Sequence, residues 1–138
     1  MPVFWRRWLA AWCGAVGVFG LVLMGGAIPA TERPVLLLLH GLGGAPVAAD
    51  PPLRFALGVL GAVSLGWALG MLAAFRAAEA LGPQGRPVWM GLTAGVLAWF
   101  ACDSALSVIT GFWPNVVPNL LLLGTYLLAV IRGGALRR

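Results

Sequence analysis

The chain has 138 residues, 61% of them apolar and only 9% charged, with a net charge of +5 and a mean hydropathy of +0.95. A soluble domain carries about 25% charged residues, so this chain lacks the charge to coat a soluble surface, and a soluble globular enzyme is excluded. Disorder is excluded as well, because disordered segments are polar and charged.

A membrane-crossing helix needs roughly 20 mainly apolar residues. The first candidate runs over 8–28, behind Arg6 and Arg7 and ahead of Pro29. Its apolar stretch is longer than the roughly 7–15 residues of a signal-peptide core, which favours an uncleaved helix. Next comes Pro34-Val35-Leu36-Leu37-Leu38-Leu39-His40-Gly41-Leu42-Gly43-Gly44. So apolar a connection is expected to touch lipid or protein, as a short helix or hairpin at the outer interface or as a re-entrant piece. The second span is expected over 53–75, after Asp50-Pro51-Pro52, and the third over 88–109, after the Gly- and Pro-rich 82–87. The fourth is expected over 115–131, with Pro114 and Pro118 near its start. Proline suits a first helical turn, where its missing N–H has no partner to lose.

The nine basic residues are all arginine. They stand singly or in pairs between apolar runs, so no basic stripe for nucleic acid forms, and no nucleic-acid partner is expected. Their placement instead predicts orientation, because cationic residues hold loops on the cytoplasmic side. With the N-terminus inside, Arg6, Arg7, Arg76, Arg86, Arg132, Arg137 and Arg138 are cytoplasmic, while Arg33 and Arg54 are outside. Both termini are therefore expected inside. Trp5, Trp8, Trp89, Trp113 and Tyr126 lie near span ends, where amphipathic rings favour the interface.

Helices in lipid associate through close packing of small residues. Gly58, Ala62, Gly66 and Gly70 recur at every fourth position of the second span; Gly91, Gly95, Ala98 and Cys102 form a similar ridge on the third. The ridges predict tight packing of these two helices, or a face for a partner protein or a pigment. Cys13 and Cys102 fall at different depths, roughly 13 Å apart by helix rise. That exceeds the reach of a disulfide, about 7 Å between Cα atoms, so two separate thiols are expected.

Asp103 is the only acid inside an expected span. A carboxylate in lipid is costly to bury and seeks partners in the bundle interior. Ser107 and Thr110 share its helical face at i+4 and i+7, Ser104 adjoins it, and Asn115 and Asn119 open the next helix, four residues apart. Three readings follow. In one, these six residues form a polar latch on the hairpin between the third and fourth helices. In another, Asp103 accepts a proton or binds a cation during transport. In the third, the cluster lies at an interface with another subunit.

The string around His40 looks like the oxyanion strand and turn of α/β-hydrolases, and Ala62-x-Ser64-x-Gly66 looks like a nucleophile elbow. A hydrolase triad needs a histidine beyond that string, and His40 is the only one in the chain. No catalytic residue, cofactor or metal site is expected, and no P-loop, dinucleotide fingerprint or C-x-x-C is present. A membrane enzyme or lipid-binding protein acting at the outer interface through His40 stays open as a lesser reading.

Three sets of residues carry a resemblance: Leu57-Gly58-Val59-Leu60-Gly61-Ala62 with Gly66-Trp67, Trp99-Phe100-x-x-Asp103-Ser104-x-x-Ser107, and Gly111 with Asn115. From the second span onward the chain resembles small uncharacterised bacterial four-helix membrane proteins. The resemblance implies four helices and an inner-membrane location, and no activity. The expectation is an all-α polytopic membrane protein: a single domain over 1–138, four transmembrane helices, and a short apolar outer segment between the first two. Its expected role is structural or accessory, as a subunit of a larger membrane complex or a homo-oligomer. The alternative is a small transporter or channel component using Asp103. The expected partners are the bilayer and other membrane subunits or copies of itself.

Overall fold

A computed structural model describes residues 1–137; Arg138, counted above among the cytoplasmic arginines, lies outside them. The described residues are all-α. Helix α1 covers Val3–Gly25, α2 Arg33–Gly43, α3 Pro51–Ala80, α4 Arg86–Ile109 and α5 Val116–Arg132, with short 3-10 turns at Gly82–Gly85 and Trp113–Asn115. Four stretches are long and apolar enough to cross a membrane: Val3–Gly25, Pro51–Ala80, Gly82–Ile109 and Trp113–Arg132.

The boundaries follow from local chemistry. Helix α1 begins five residues earlier than the apolar run alone suggests, so Arg6 and Arg7 are helical rather than preceding the helix. The Pro2 carbonyl accepts from the N–H groups of Trp5 and Arg6 and opens this first turn. The helix also stops at Gly25, short of Ile28, where the chain turns. Asp50-Pro51-Pro52 is a helix start as well as a break. The Leu53 N–H donates to Asp50 Oδ1 at 2.9 Å, while the prolines occupy first-turn positions that need no donor. Helix α3 then continues to Ala80, past the expected end at Phe75. At 1.5 Å per residue its 30 residues span about 45 Å, longer than the roughly 30 Å hydrocarbon core of a bilayer. The segment 34–44 is largely the helix α2.

The packing falls into two compact units, one of Gly14–Leu69 and one of Met1–Cys13 with the chain from Gly70 onward. In the Gly14–Leu69 unit, Leu23, Val35 and Leu57 form a buried core flanked by Val22, Leu39 and Leu53. Helices α1 and α3 meet at Gly20 and Gly61. A Cβ on Gly61 would lie 2.5 Å from the Gly20 carbonyl oxygen, so only glycine permits this approach. Glu32, just ahead of α2, pairs with Arg54 of α3.

In the other unit an aromatic cluster ties the helices together. Tyr126 of α5 is fully buried, with Trp12 of α1 at 5.7 Å and Phe75 of α3 at 6.1 Å between ring centroids. Phe75 also stacks on Trp89 of α4 at 5.4 Å. The Tyr126 hydroxyl is 3.0 Å from Thr93 Oγ1. Indole N–H groups of α1 reach carbonyls of α5: Trp8 donates to Thr125 at 3.1 Å and Trp12 to Leu122 at 2.9 Å. Trp89 and Tyr126, expected as interfacial rings, are buried in this packing. Trp113 is 64% exposed.

Candidate functional site

The turn between α4 and α5 is short, and Gly111 makes it possible. Its φ of 84° lies in the left-handed region that a side chain disfavours. The turn closes as the Phe112 N–H donates back to the Ser107 carbonyl at 2.8 Å. Asn115 ends the 3-10 turn and Asn119 follows one helical turn later, so both face α4.

The side-chain amides of Asn115 and Asn119 converge on one oxygen. Asn115 Nδ2 donates to Asp103 Oδ1 at 2.8 Å, and Asn119 Nδ2 donates to the same oxygen at 2.7 Å. Each amide also reaches a hydroxyl: Asn115 to Ser107 Oγ at 3.0 Å, Asn119 to Ser104 Oγ at 3.3 Å. Ser107 Oγ lies 2.8 Å from the Asp103 carbonyl and 3.3 Å from Asp103 Oδ1. Ser107 and Asn119 are buried. An amide oxygen turned toward the carboxylate at this range would be repelled, so the NH2 groups point inward.

The structure therefore brings Asp103, Ser104, Ser107, Asn115 and Asn119 together. Thr110 reaches this cluster only by a long bond to the Ser107 carbonyl, at 3.4 Å. That hydroxyl is exposed and donates to the Leu106 carbonyl at 2.8 Å, within its own helix. At i+7 it shares the face of Asp103, but it lies past the end of α4, where a local carbonyl is the nearest acceptor. Among the described residues, every hydrogen bond to the Asp103 carboxylate ends on Oδ1. Chemically, the cluster can fix the hairpin and leave the second carboxylate oxygen for another donor.

The glycine ridges are open at most positions. A Cβ on Gly66, Gly70, Gly91 or Gly95 would meet no heavy atom within 4 Å. Gly58 alone has a tight neighbour, Ala27 Cβ at 3.1 Å, and Ala62 is exposed. The close glycine approach uses Gly20 and Gly61 instead. The signal for it is the run Gly14, Gly17, Gly20 along α1, at every third residue. On α4 the open ridge is exposed along Gly91, Gly95, Ala98 and Cys102.

Cys13 is buried and Cys102 exposed, both as free thiols. His40 sits in the last turn of α2, exposed, beside a shallow depression shared with Glu32 and Arg33. Among the described residues, no three of His, Cys, Asp and Glu are placed to hold a metal ion. No family model matches the chain, and neither a curated protein nor a solved structure is found similar to it.

Proposed function

We propose that residues 1–138 form one four-span domain of a bacterial inner-membrane protein, both termini cytoplasmic, that serves as a structural or accessory subunit. Its partners are subunits of a larger membrane complex or further copies of itself. The arginine bias, seven on one side and two on the other by sequence, supports the orientation. One observation carries the role: the open small-residue face of α4. Only 11% of the most apolar stretch of Gly82–Ile109 is buried within the chain, against 39% for Val3–Gly25. On that same helix Gly91 and Gly95 leave room for a backbone to approach, which is how helices associate in lipid. The Asp103 cluster fits this reading as a latch that stiffens the hairpin presenting the face.

Native mass spectrometry of the protein drawn gently from its own membrane tests the role. Other subunits or further copies at fixed stoichiometry are expected. A strict monomer with nothing bound overturns the reading. Retention in the membrane fraction through alkaline carbonate washing tests the integral location separately.

A second reading is a small transporter or channel component built on Asp103. It is favoured by the carboxylate oxygen that receives no hydrogen bond among the described residues. Proton or cation flux through reconstituted vesicles, lost in Asp103→Asn while the fold persists, would support it. Equal flux with and without the protein would remove it.

A further inference from the structure

A second site lies in the unit formed by Met1–Cys13 and the chain from Gly70 onward. The start of α1, the end of α3 and the start of α4 enclose an open cleft of about 570 Å³. Arg6 and Arg7 of α1 line it together with Arg76 of α3, and its walls include Leu9, Phe75 and Trp89. The one acid on its lining, Glu79, is held by the amino group of Met1 at 3.1 Å. No ion pair joins any of the three arginines to a carboxylate among the described residues. Three guanidiniums thus share one cleft with apolar and aromatic walls and no free counter-charge.

We propose that this cleft binds an anionic phospholipid, its phosphate held by Arg6, Arg7 and Arg76 and its first acyl carbons against Leu9, Phe75 and Trp89. The guanidinium fork matches phosphate oxygens in pairs. A free inorganic anion would gain nothing from the apolar wall, and an acidic peptide little. An amphiphile satisfies both halves of the lining. The volume lies within the range of small-ligand pockets, roughly 300–1,000 Å³. The cleft lies at the ends of apolar spans, where basic pockets meet headgroups. The proposal rests on the membrane reading above, and not on the accessory role.

Native mass spectrometry of the protein in zwitterionic detergent, titrated with dioctanoyl phosphatidylglycerol, tests it. One retained lipid is expected, bound at least about tenfold more tightly than dioctanoyl phosphatidylcholine. Arg6→Gln/Arg7→Gln/Arg76→Gln should lose that preference. Arg33→Gln/Arg132→Gln/Arg137→Gln removes the same charge from residues outside the lining and should keep it. Both variants change exposed side chains, and circular dichroism checks that each remains helical. Quenching by a brominated-tail phosphatidylglycerol should fall in Trp89→Phe, placing the tail against that wall. Equal binding of the two lipids, or equal loss in both arginine variants, overturns the proposal. Displacement of the lipid by inorganic phosphate at equal concentration would make it a free-anion site. Displacement by hexaglutamate would make it a site for an acidic protein. Release of the protein by alkaline carbonate would fail the membrane reading itself, a result separate from lipid preference in micelles.

Discussion

Asn119 Nδ2 donates to Asp103 Oδ1 at 2.7 Å, sixteen residues away in sequence and on the neighbouring helix. Together with Asn115 it brings two side-chain amides onto one oxygen atom of α4. That convergence separates two substitutions that would otherwise look alike. Asp103→Asn keeps an acceptor oxygen, so the hairpin should lose only about 1 kcal/mol, the charge-assisted part of the bonds. Asp103→Ala leaves two amides without their acceptor and should cost about 2–3 kcal/mol. Thermal unfolding of both variants in detergent measures the difference. Equal stability of the two would remove the latch.

The same substitution at two glycines should give opposite results. Gly61→Val drives a side chain into the Gly20 carbonyl and the Met24 backbone, and should destabilise by about 1–3 kcal/mol. Gly95→Val enters open space and should change monomer stability by less than about 0.5 kcal/mol. If α4 is a docking face, Gly95→Val should nevertheless weaken association. Unfolding curves and subunit stoichiometry, measured on the same two variants, check both halves.

Trp12→Phe removes the donor to the Leu122 carbonyl and part of the contact with Tyr126. The expected loss is about 1–2 kcal/mol. Trp8 is less buried, and Trp8→Phe should lose about half as much. Helical circular dichroism followed through heating reads both, and a larger loss for Trp8→Phe would contradict the assignment of the α1–α5 contact.

Glu32 and Arg54 keep about a quarter of their side chains exposed, yet the contacting atoms Glu32 Oε2 and Arg54 Nη1 are shielded. Their coupling should be about 1 kcal/mol or less and should persist at high salt, because shielded charges are poorly screened. A double-mutant cycle of Glu32→Gln and Arg54→Gln at two salt concentrations measures it. A coupling that vanishes with salt would place the pair at an open surface.

The long apolar helices were legible because an uninterrupted apolar run has few other uses. Most of the Asp103 cluster was legible for a related reason. Asp103 and Ser107 on α4, and Asn115 and Asn119 across the start of α5, are each one helical turn apart, and Gly111 makes the turn too short for them to miss. Thr110 fits the same periodicity but lies where its helix has ended, a detail that spacing does not carry. The glycine ridges show the limit of such patterns. Small residues say that a backbone can approach, not which one does. Gly66, Gly70, Gly91 and Gly95 are open while Gly20 and Gly61 touch. The aromatic cluster was hidden because Trp12 meets Leu122 across 110 residues, and helical periodicity has no memory of that length. The arginine cleft is hidden because the charge bias expects Arg6, Arg7 and Arg76 on one side of a membrane without bringing them to one place.

The bonds from Trp8 and Trp12 to α5 bridge 117 and 110 residues, and this bears on how the chain is made. A ribosome delivers α1 long before α5 exists, so the two indoles wait through most of synthesis without their native carbonyls. Closure of the aromatic cluster is therefore a late event, after α5 has emerged. A ribosome stalled before α5 should hold a nascent chain whose early helix is still open to chaperones, insertase or premature pairing.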